Sequence, residues 1–280
     1  MELALLKQFK NEGNFNANML NVAIWPYSTG EIILQNYNSI LTMSRLIQHS
    51  DGIISLYNDE ELKLWKIGKN IKNPTYQDIN TVISEKLLSV FFPWANSPEK
   101  HIPLRGFDCN EIISHLGVLP QTNILTMSSY PLCPDDSKQF NAVTWKGLFS
   151  EVLRNFQNNS KNPSKWWKSF GNIMYMRGEE VYKNDNFSQF EDPDLYNTNI
   201  NTGLKVYKDS YSLHGHEKSW TILSNSSQIT TPLENALRKS VLMFRNKAYL
   251  HHYEKMNFTE EDFREAFTVT RDTVLRYRPS

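Results

Sequence analysis

Cysteine is nearly absent. Two residues in 280, Cys109 and Cys133, can build neither a disulfide framework nor a four-thiolate zinc site. Glycine is sparse and scattered: there are eleven, and the nearest two, Gly171 and Gly178, stand seven positions apart. Neither G-x-G-x-x-G nor G-x-x-x-x-G-K-[ST] can occur, so no glycine loop cradles phosphates and any nucleotide must be held by other means. No apolar run approaches the ~18 residues of a membrane span; Leu88-Ser89-Val90-Phe91-Phe92 is stopped by Pro93. Neither charge is in excess, since 30 Lys+Arg face 30 Asp+Glu. That removes simple electrostatic attraction to nucleic acid or to an anionic membrane surface. Met1 to Lys10 has no basic leader and too short an apolar stretch for a signal peptide. With 40% hydrophobic and 21% charged residues, the composition is that of a folded globular chain. The expectation is a soluble intracellular protein with neither nucleic acid nor membrane as partner.

Periodicity divides what is present. Leu3, Leu6 and Phe9 suggest an opening helix, and Met19 to Trp25 a buried strand closed by Pro26. A helix over Tyr37 to His49, a strand from Gly52 to Leu56 and a helix over Asp59 to Gly68 follow. This strand-helix alternation predicts a parallel α/β layer. Asn73-Pro74 reads as the cap and first turn of a longer helix, with Ile79, Val82, Ile83, Leu87 and Val90 on one face. Beyond the proline-bearing link from Ala95 to Gly106 come short helices at Asn110 to Leu116 and Ala142 to Phe156. Strands are expected at Asn123 to Ser129, Asn172 to Arg177, Leu204 to Tyr207 and Trp220 to Ser224. The polar stretches Asn155 to Lys168 and Lys183 to Gly203 read as surface loops. Two long helices end the chain, one striped by Leu233, Leu237, Val241, Phe244 and Ala248, the other by Phe263, Phe267, Thr270, Val274 and Tyr277. The expected units are 1–93, 94–230 and 231–280.

Asn58 falls just past a predicted strand's carboxyl end, where open α/β sheets bind ligands. Tyr76 and Asn80, at i and i+4, share one face of the helix behind Asn73-Pro74. A purine needs a flat apolar partner and paired donors and acceptors, which Tyr and Asn amides supply. With 29 asparagines in the chain, no single one of them is strong evidence.

Longer blocks say more. Trp25-Pro26-Tyr27-Ser28-Thr29-Gly30-Glu31-Ile32-Ile33-Leu34-Gln35-Asn36-Tyr37-Asn38-Ser39-Ile40-Leu41-Thr42 resembles the tubulin family, most nearly its delta branch. Ser50-Asp51, Asn58, Pro74-Thr75-Tyr76 and Asn80 continue the likeness without a gap. Arg177-Gly178-Glu179, Ser224-Asn225-Ser226 and Asn246-Lys247-Ala248-Tyr249-Leu250-His251-His252-Tyr253 extend it to the end. The resemblance implies the later part of a Rossmann-like GTPase domain with its central helix, a mixed α/β intermediate domain and a C-terminal helical hairpin.

It further implies that Asn58 and Asn80 contact guanine, that Tyr76 stacks on the base, and that Gln35 faces the ribose where many relatives carry glutamate. An amide still bonds a hydroxyl, without the strength of a charge-assisted bond. Glu111, in Asp108-Cys109-Asn110-Glu111, falls where a glutamate polarises the attacking water of a neighbouring subunit's nucleotide. The approach Pro103-Leu104-Arg105-Gly106-Phe107 departs from the family's asparagine-containing one. The family's glycine-rich and acidic loops, which hold phosphates and magnesium, have no counterpart in this sequence, so weak or absent GTP binding by this chain is expected. Other tubulins and microtubule or centriolar components are the implied partners, in cytoplasm and cytoskeleton at centriole, basal body or cilium. The basic ending, Leu275-Arg276-Tyr277-Arg278-Pro279-Ser280, differs from the acidic tails of microtubule-wall tubulins. A nucleotide-free module that binds other tubulins is the alternative. Met19 to Trp25 is expected to form an unpaired apolar sheet edge. His214-Gly215-His216 and His251-His252 lack further ligands at metal-binding spacing, and Trp166-Trp167 reads as a loop anchor.

Overall fold

A computed structural model describes residues 18–28, 32–62, 75–92, 106–116, 119–130, 144–158, 160–197, 202–213 and 215–278. Strand β1 (Leu20–Trp25), helix α1 (Gln35–His49) and strand β2 (Gly52–Tyr57) form the expected parallel unit, with Leu20 opposite Gly52 and Trp25 opposite Tyr57. Helix α2 (Tyr76–Phe91), helix α3 (Cys109–His115), strand β3 (Ile124–Tyr130) and helix α4 (Trp145–Phe156) follow. Strands β4 (Ser169–Gly178), β5 (Leu204–Asp209) and β6 (Lys218–Ser226) complete one six-stranded sheet in the order β1-β2-β3-β6-β4-β5. Pairing is parallel from β1 to β3 and between β4 and β5; β6 runs antiparallel to β3 and β4. Helix α5 (Thr230–Arg245), helix α6 (Leu250–Glu254) and helix α7 (Glu260–Tyr277) end the chain.

The mixed α/β class is therefore as expected, and the reason lies in strand alternation. Ile53 and Ile124 point to one face of the sheet, Ile54 and Leu125 to the other. On the first face α1, α5 and α7 pack through Ile40, Met43, Ile47, Leu233, Val269 and Tyr277. Further along that face α4 covers Met174, Met176, Trp220 and Ile222. On the second face lie α2 and α3, through Ile79, Ile83, Val90 and Ile112. Covered on both sides, β2 and β4 are buried along their full lengths, which explains their continuous apolar runs. At the end of β4 the backbone of Gly178 turns to φ +120°, and a Cβ there would lie 2.0 Å from the Glu217 carbonyl oxygen.

Three expectations need correction. Helix α2 is capped by Thr75, not Asn73: the Thr75 hydroxyl accepts from the Asp78 N–H, and the Asp78 carboxylate accepts from the Thr75 N–H at 2.8 Å. That reciprocal box satisfies two otherwise orphaned donors, while Asn73 and Pro74 lie outside the described residues. The C-terminal region holds a short third helix, α6, between the two long ones. Left-handed backbone at Lys247 and Tyr249 separates it from α5, so Ala248 falls outside the α5 stripe. The stretch 183–203 is not a plain surface loop. Its 3₁₀ turns at Ser188–Phe190 and Pro193–Leu195 bury Phe190 and Leu195 in the cluster under α4. Trp166 does anchor its loop, its indole N–H donating to the Ser160 carbonyl at 2.7 Å. The helix expected over Asp59 to Gly68 is helical at 58–62, its remainder lying outside the described residues along with the opening helix.

Polar side chains lock α7 onto the sheet. The Tyr277 hydroxyl accepts from the Ile124 N–H at 3.0 Å and donates to Asn225 Oδ1 at 2.8 Å. The Asn225 amide in turn donates to the Leu116 and Thr122 carbonyls. Tyr277→Phe leaves the Asn225 oxygen without its donor in a dry interior. The expected loss is about 1–3 kcal/mol, measured by urea unfolding, with little change in the slope of the transition.

Candidate functional site

The carboxyl ends of β1 and β2 lie side by side, with α1 returning between them, which is where an open α/β sheet leaves a crevice. Pro26 ends β1 and turns the chain away. Residues 58–62 begin a helical turn directly after β2, so half-buried Asn58 sits at the crevice floor. The first turn of α2 brings in Tyr76, whose ring is 59% exposed and lies 6.4 Å from that of Tyr27, tilted by 53°. From α1 comes Gln35, whose amide donates to the Tyr27 carbonyl at 2.5 Å and keeps its own oxygen available. Gln35, Asn58 and Tyr76 line one cavity of about 370 Å³ together with Trp25 and Tyr27. Asn80 is one turn further along α2, exposed, and outside that lining. The cavity has an open aromatic face and three carboxamides, Gln35, Asn38 and Asn58, the chemistry of a flat ring bearing hydrogen-bonding edges.

Glu111 is elsewhere. It lies in the first turn of α3, which is capped by the Asp108 carboxylate accepting from the Asn110 and Glu111 N–H groups. The Asn110 side chain accepts from the Asn18 amide at 2.6 Å, so α3 sits at the amino end of β1, opposite the cavity. The Glu111 carboxylate pairs with Lys205 of β5 at 2.5 Å and is 18% exposed. Burial, with the Asp51 and Asp108 carboxylates alongside, pushes the Cys109 thiol up and away from a nucleophilic thiolate. Among the described residues, no group of three or more His, Cys, Asp or Glu side chains could hold a metal ion. Among the same residues, no helix is long and apolar enough to cross a membrane.

No family model matches the chain. Its sequence is 32% identical to the tubulin delta chain of Macaca fascicularis over 289 aligned positions, covering 94% of this chain and 63% of that relative. The tubulin delta chain of Homo sapiens matches with the same identity and coverage. The tubulin alpha chain of Dictyostelium discoideum is 23% identical, across 87% of this chain and 54% of its own length. Over nearly its whole length the chain is similar to tubulin delta chains, and more distantly to tubulin alpha chains. It spans 63% of the length of the delta-tubulin relatives it matches.

Two features of the site went unread in the sequence. Tyr27 supplies a further ring to the cavity, beside those of Trp25 and Tyr76. Beneath it, the Lys86 ammonium of α2 meets the Glu61 carboxylate at 2.6 Å, with 2% and 1% of the side chains exposed. This pair ties the turn that begins at Asn58 to the helix that begins at Tyr76. The available signal was Lys86 itself, a charge on the stripe formed by Ile79, Val82, Ile83 and Val90. A buried pair is costly to break because the surviving charge has no water. Glu61→Gln should therefore cost about 3–5 kcal/mol, whereas the double change Glu61→Leu with Lys86→Met should be within about 1–2 kcal/mol of the parent. Chemical denaturation of the three variants checks both figures.

Proposed function

We propose that this chain is a tubulin-type cytoskeletal subunit whose crevice at the ends of β1 and β2 receives the nucleoside part of GTP. The observation that carries this reading is the convergence of Gln35, Asn58 and Tyr76 on one cavity. Tyr76 would stack on guanine, Asn58 and Asn80 would bond its edge, and Gln35 would reach a ribose hydroxyl. The exposed Tyr76 ring and the spare amide groups fit such a ligand. No glycine loop in the sequence serves the phosphates or their magnesium ion, so the base and ribose supply most of the affinity of this chain, and GTP binds it weakly.

The placement of α3 at the opposite end of β1 supports a role for Glu111 in trans. A neighbouring subunit stacked end to end would offer its nucleotide to that carboxylate, which orients a water once it leaves Lys205. Other tubulins are the partners in this reading. The likeness to tubulin delta chains supports assignment to the delta type, and with it a cytoplasmic, centriolar, basal-body or ciliary place. The units 1–93, 94–230 and 231–280 are proposed as its nucleotide, intermediate and C-terminal parts, their strands joined in one sheet.

Titration with guanosine and with GTP tests the site. Tyr76→Ala removes a stacking contact of about 1–3 kcal/mol and should weaken guanosine about five- to hundredfold. Equal affinity in the variant, or no binding of guanosine by the parent chain, removes the reading.

A second reading, a nucleotide-free module that binds other tubulins, is favoured by β1. Among the described residues this strand is one of the two sheet edges, and Val22 and Ile24 are 43% and 52% exposed. Capture of tubulin by the chain after GTP is stripped from both should then be undiminished, and Ile24→Lys should reduce it severalfold. Capture that requires GTP would exclude this module.

A further inference from the structure

A second cavity, of about 430 Å³, shares Trp25, Tyr27 and Gln35 with the first but leaves Asn58 and Tyr76 behind and extends to the first turns of α5. Four of its walls are aromatic: Trp25, Tyr27, Tyr57 and Trp167. Trp25 and Tyr57 face each other across the β1–β2 pair with rings stacked at 5.9 Å. Among the described residues its charged groups are Asp59 and Glu60, from the turn after β2, and Lys239 of α5. Two carboxylates thus oppose one ammonium. The Asp59 carboxylate accepts from the Ser28 N–H at 2.7 Å and retains acceptor capacity, while Lys239 donates to the Ser28 carbonyl at 3.3 Å. Glu60 lies near enough to Tyr57 to help burial hold that phenol protonated.

Two wall groups are polar and unsatisfied. Trp25 and Tyr57 are 7% and 9% exposed, and neither the indole N–H nor the phenol oxygen has a hydrogen-bond partner. The Tyr57 hydroxyl stands beside that of Ser55, and neither completes a bond of ordinary geometry. Buried polar atoms without partners are uncommon in native interiors and point to a polar occupant. Aromatic faces combined with an excess of carboxylate select positive charge over negative, because the ring quadrupole and the anions attract the same ligand.

We propose that this cavity binds an organic cation carrying an ammonium or guanidinium group. The charge lies against Asp59 and Glu60, and the alkyl or planar portion lies over Tyr27 and Trp167. The Tyr57 oxygen accepts one N–H of the ligand. The Trp25 N–H donates to a water or to an acceptor on the same ligand. Lys239 opposes the charge and sets a ceiling on affinity. The shared chemistry can come from a free amine or from an arginine side chain on a partner protein. The site does not depend on the nucleoside reading, since Asn58, Tyr76 and Asn80 take no part.

Calorimetric titration of the 280-residue chain, with saturating guanosine present and absent, tests the proposal with two probes: agmatine and N-acetyl-arginine methylamide. At least one should bind in both conditions. Tighter agmatine binding assigns a free amine, and tighter binding of the blocked arginine assigns a partner's side chain. Asp59→Asn with Glu60→Gln should weaken the better probe at least tenfold, and Trp167→Leu about two- to thirtyfold, the equivalent of about 0.5–2 kcal/mol. Lys239→Met should strengthen binding severalfold, a sign that general loosening of the fold does not produce. Circular dichroism melts confirm that each variant is folded; if the double variant is not, the Lys239→Met result decides. Affinity unchanged in the carboxamide variant, weaker binding by Lys239→Met, or no heat from either probe at millimolar concentration would overturn it.

Discussion

The position of α2 depends on charges that have no access to water. At its carboxyl end the helix has no basic residue of its own. Arg177 of β4 supplies the missing cation, donating to the Ser89 and Phe92 carbonyls at 3.3 and 2.7 Å while its other nitrogen pairs with Asp209 at 3.1 Å. Only 2% of the Arg177 side chain and 6% of that of Asp209 are exposed. The guanidinium therefore satisfies orphaned helix carbonyls and the negative end of the helix dipole together. Burial pulls the Arg177 pKa downward and Asp209, on the adjacent parallel strand, opposes that pull, so the buried charge is compensated by a paired carboxylate. Within the same half of the helix, Lys86 pairs with Glu61 of the turn that carries Asn58. The helix is fixed to both halves of the sheet, and the direction of Tyr76 follows from that.

This has a functional consequence. The crevice with Gln35, Asn58 and Tyr76 occupies one end of β1, while Asn18, Asn110 and Glu111 occupy the other. The two ends are chemically unlike, as the head-to-tail stacking of the proposed reading requires. In the proposed reading, each subunit then offers its nucleoside crevice to the Glu111 end of the next. In that reading Lys205 pairs with the Glu111 carboxylate until such a neighbour arrives.

Much of the fold was legible because its strands and helices are locally consistent. Leu20 to Trp25, Gly52 to Tyr57 and Ile124 to Tyr130 are apolar runs bounded by Pro, Asn and Gly, and each forms a strand within a few residues of its expected bounds. The stripe from Phe263 to Tyr277 is buried almost as the spacing implies. Errors arose where backbone chemistry competes over short distances. Thr75 took the cap from Asn73 because it has Asp78 three residues ahead. Left-handed turns at Lys247 and Tyr249 broke a helix whose composition alone would have continued. Phe190 and Leu195 were hidden by polar neighbours, since a few buried side chains scattered through a mostly hydrophilic stretch leave no period to detect.

By itself, the amino-acid sequence determined the α/β class, the absence of a glycine phosphate loop and the candidate residues Gln35, Asn58, Tyr76, Asn80 and Glu111. These follow from composition, spacing and likeness in short blocks, all of which are local. Only the tertiary structure decided which of those residues meet. It brought Gln35, Asn58 and Tyr76 to one cavity, left Asn80 a turn away, and set Glu111 at the far end of the sheet against Lys205. It also decided that Lys86, Glu61, Arg177 and Asp209 are buried, because a charge is tolerated in a dry interior only when a partner distant in the chain arrives within hydrogen-bonding reach. No window of neighbouring residues contains that partner.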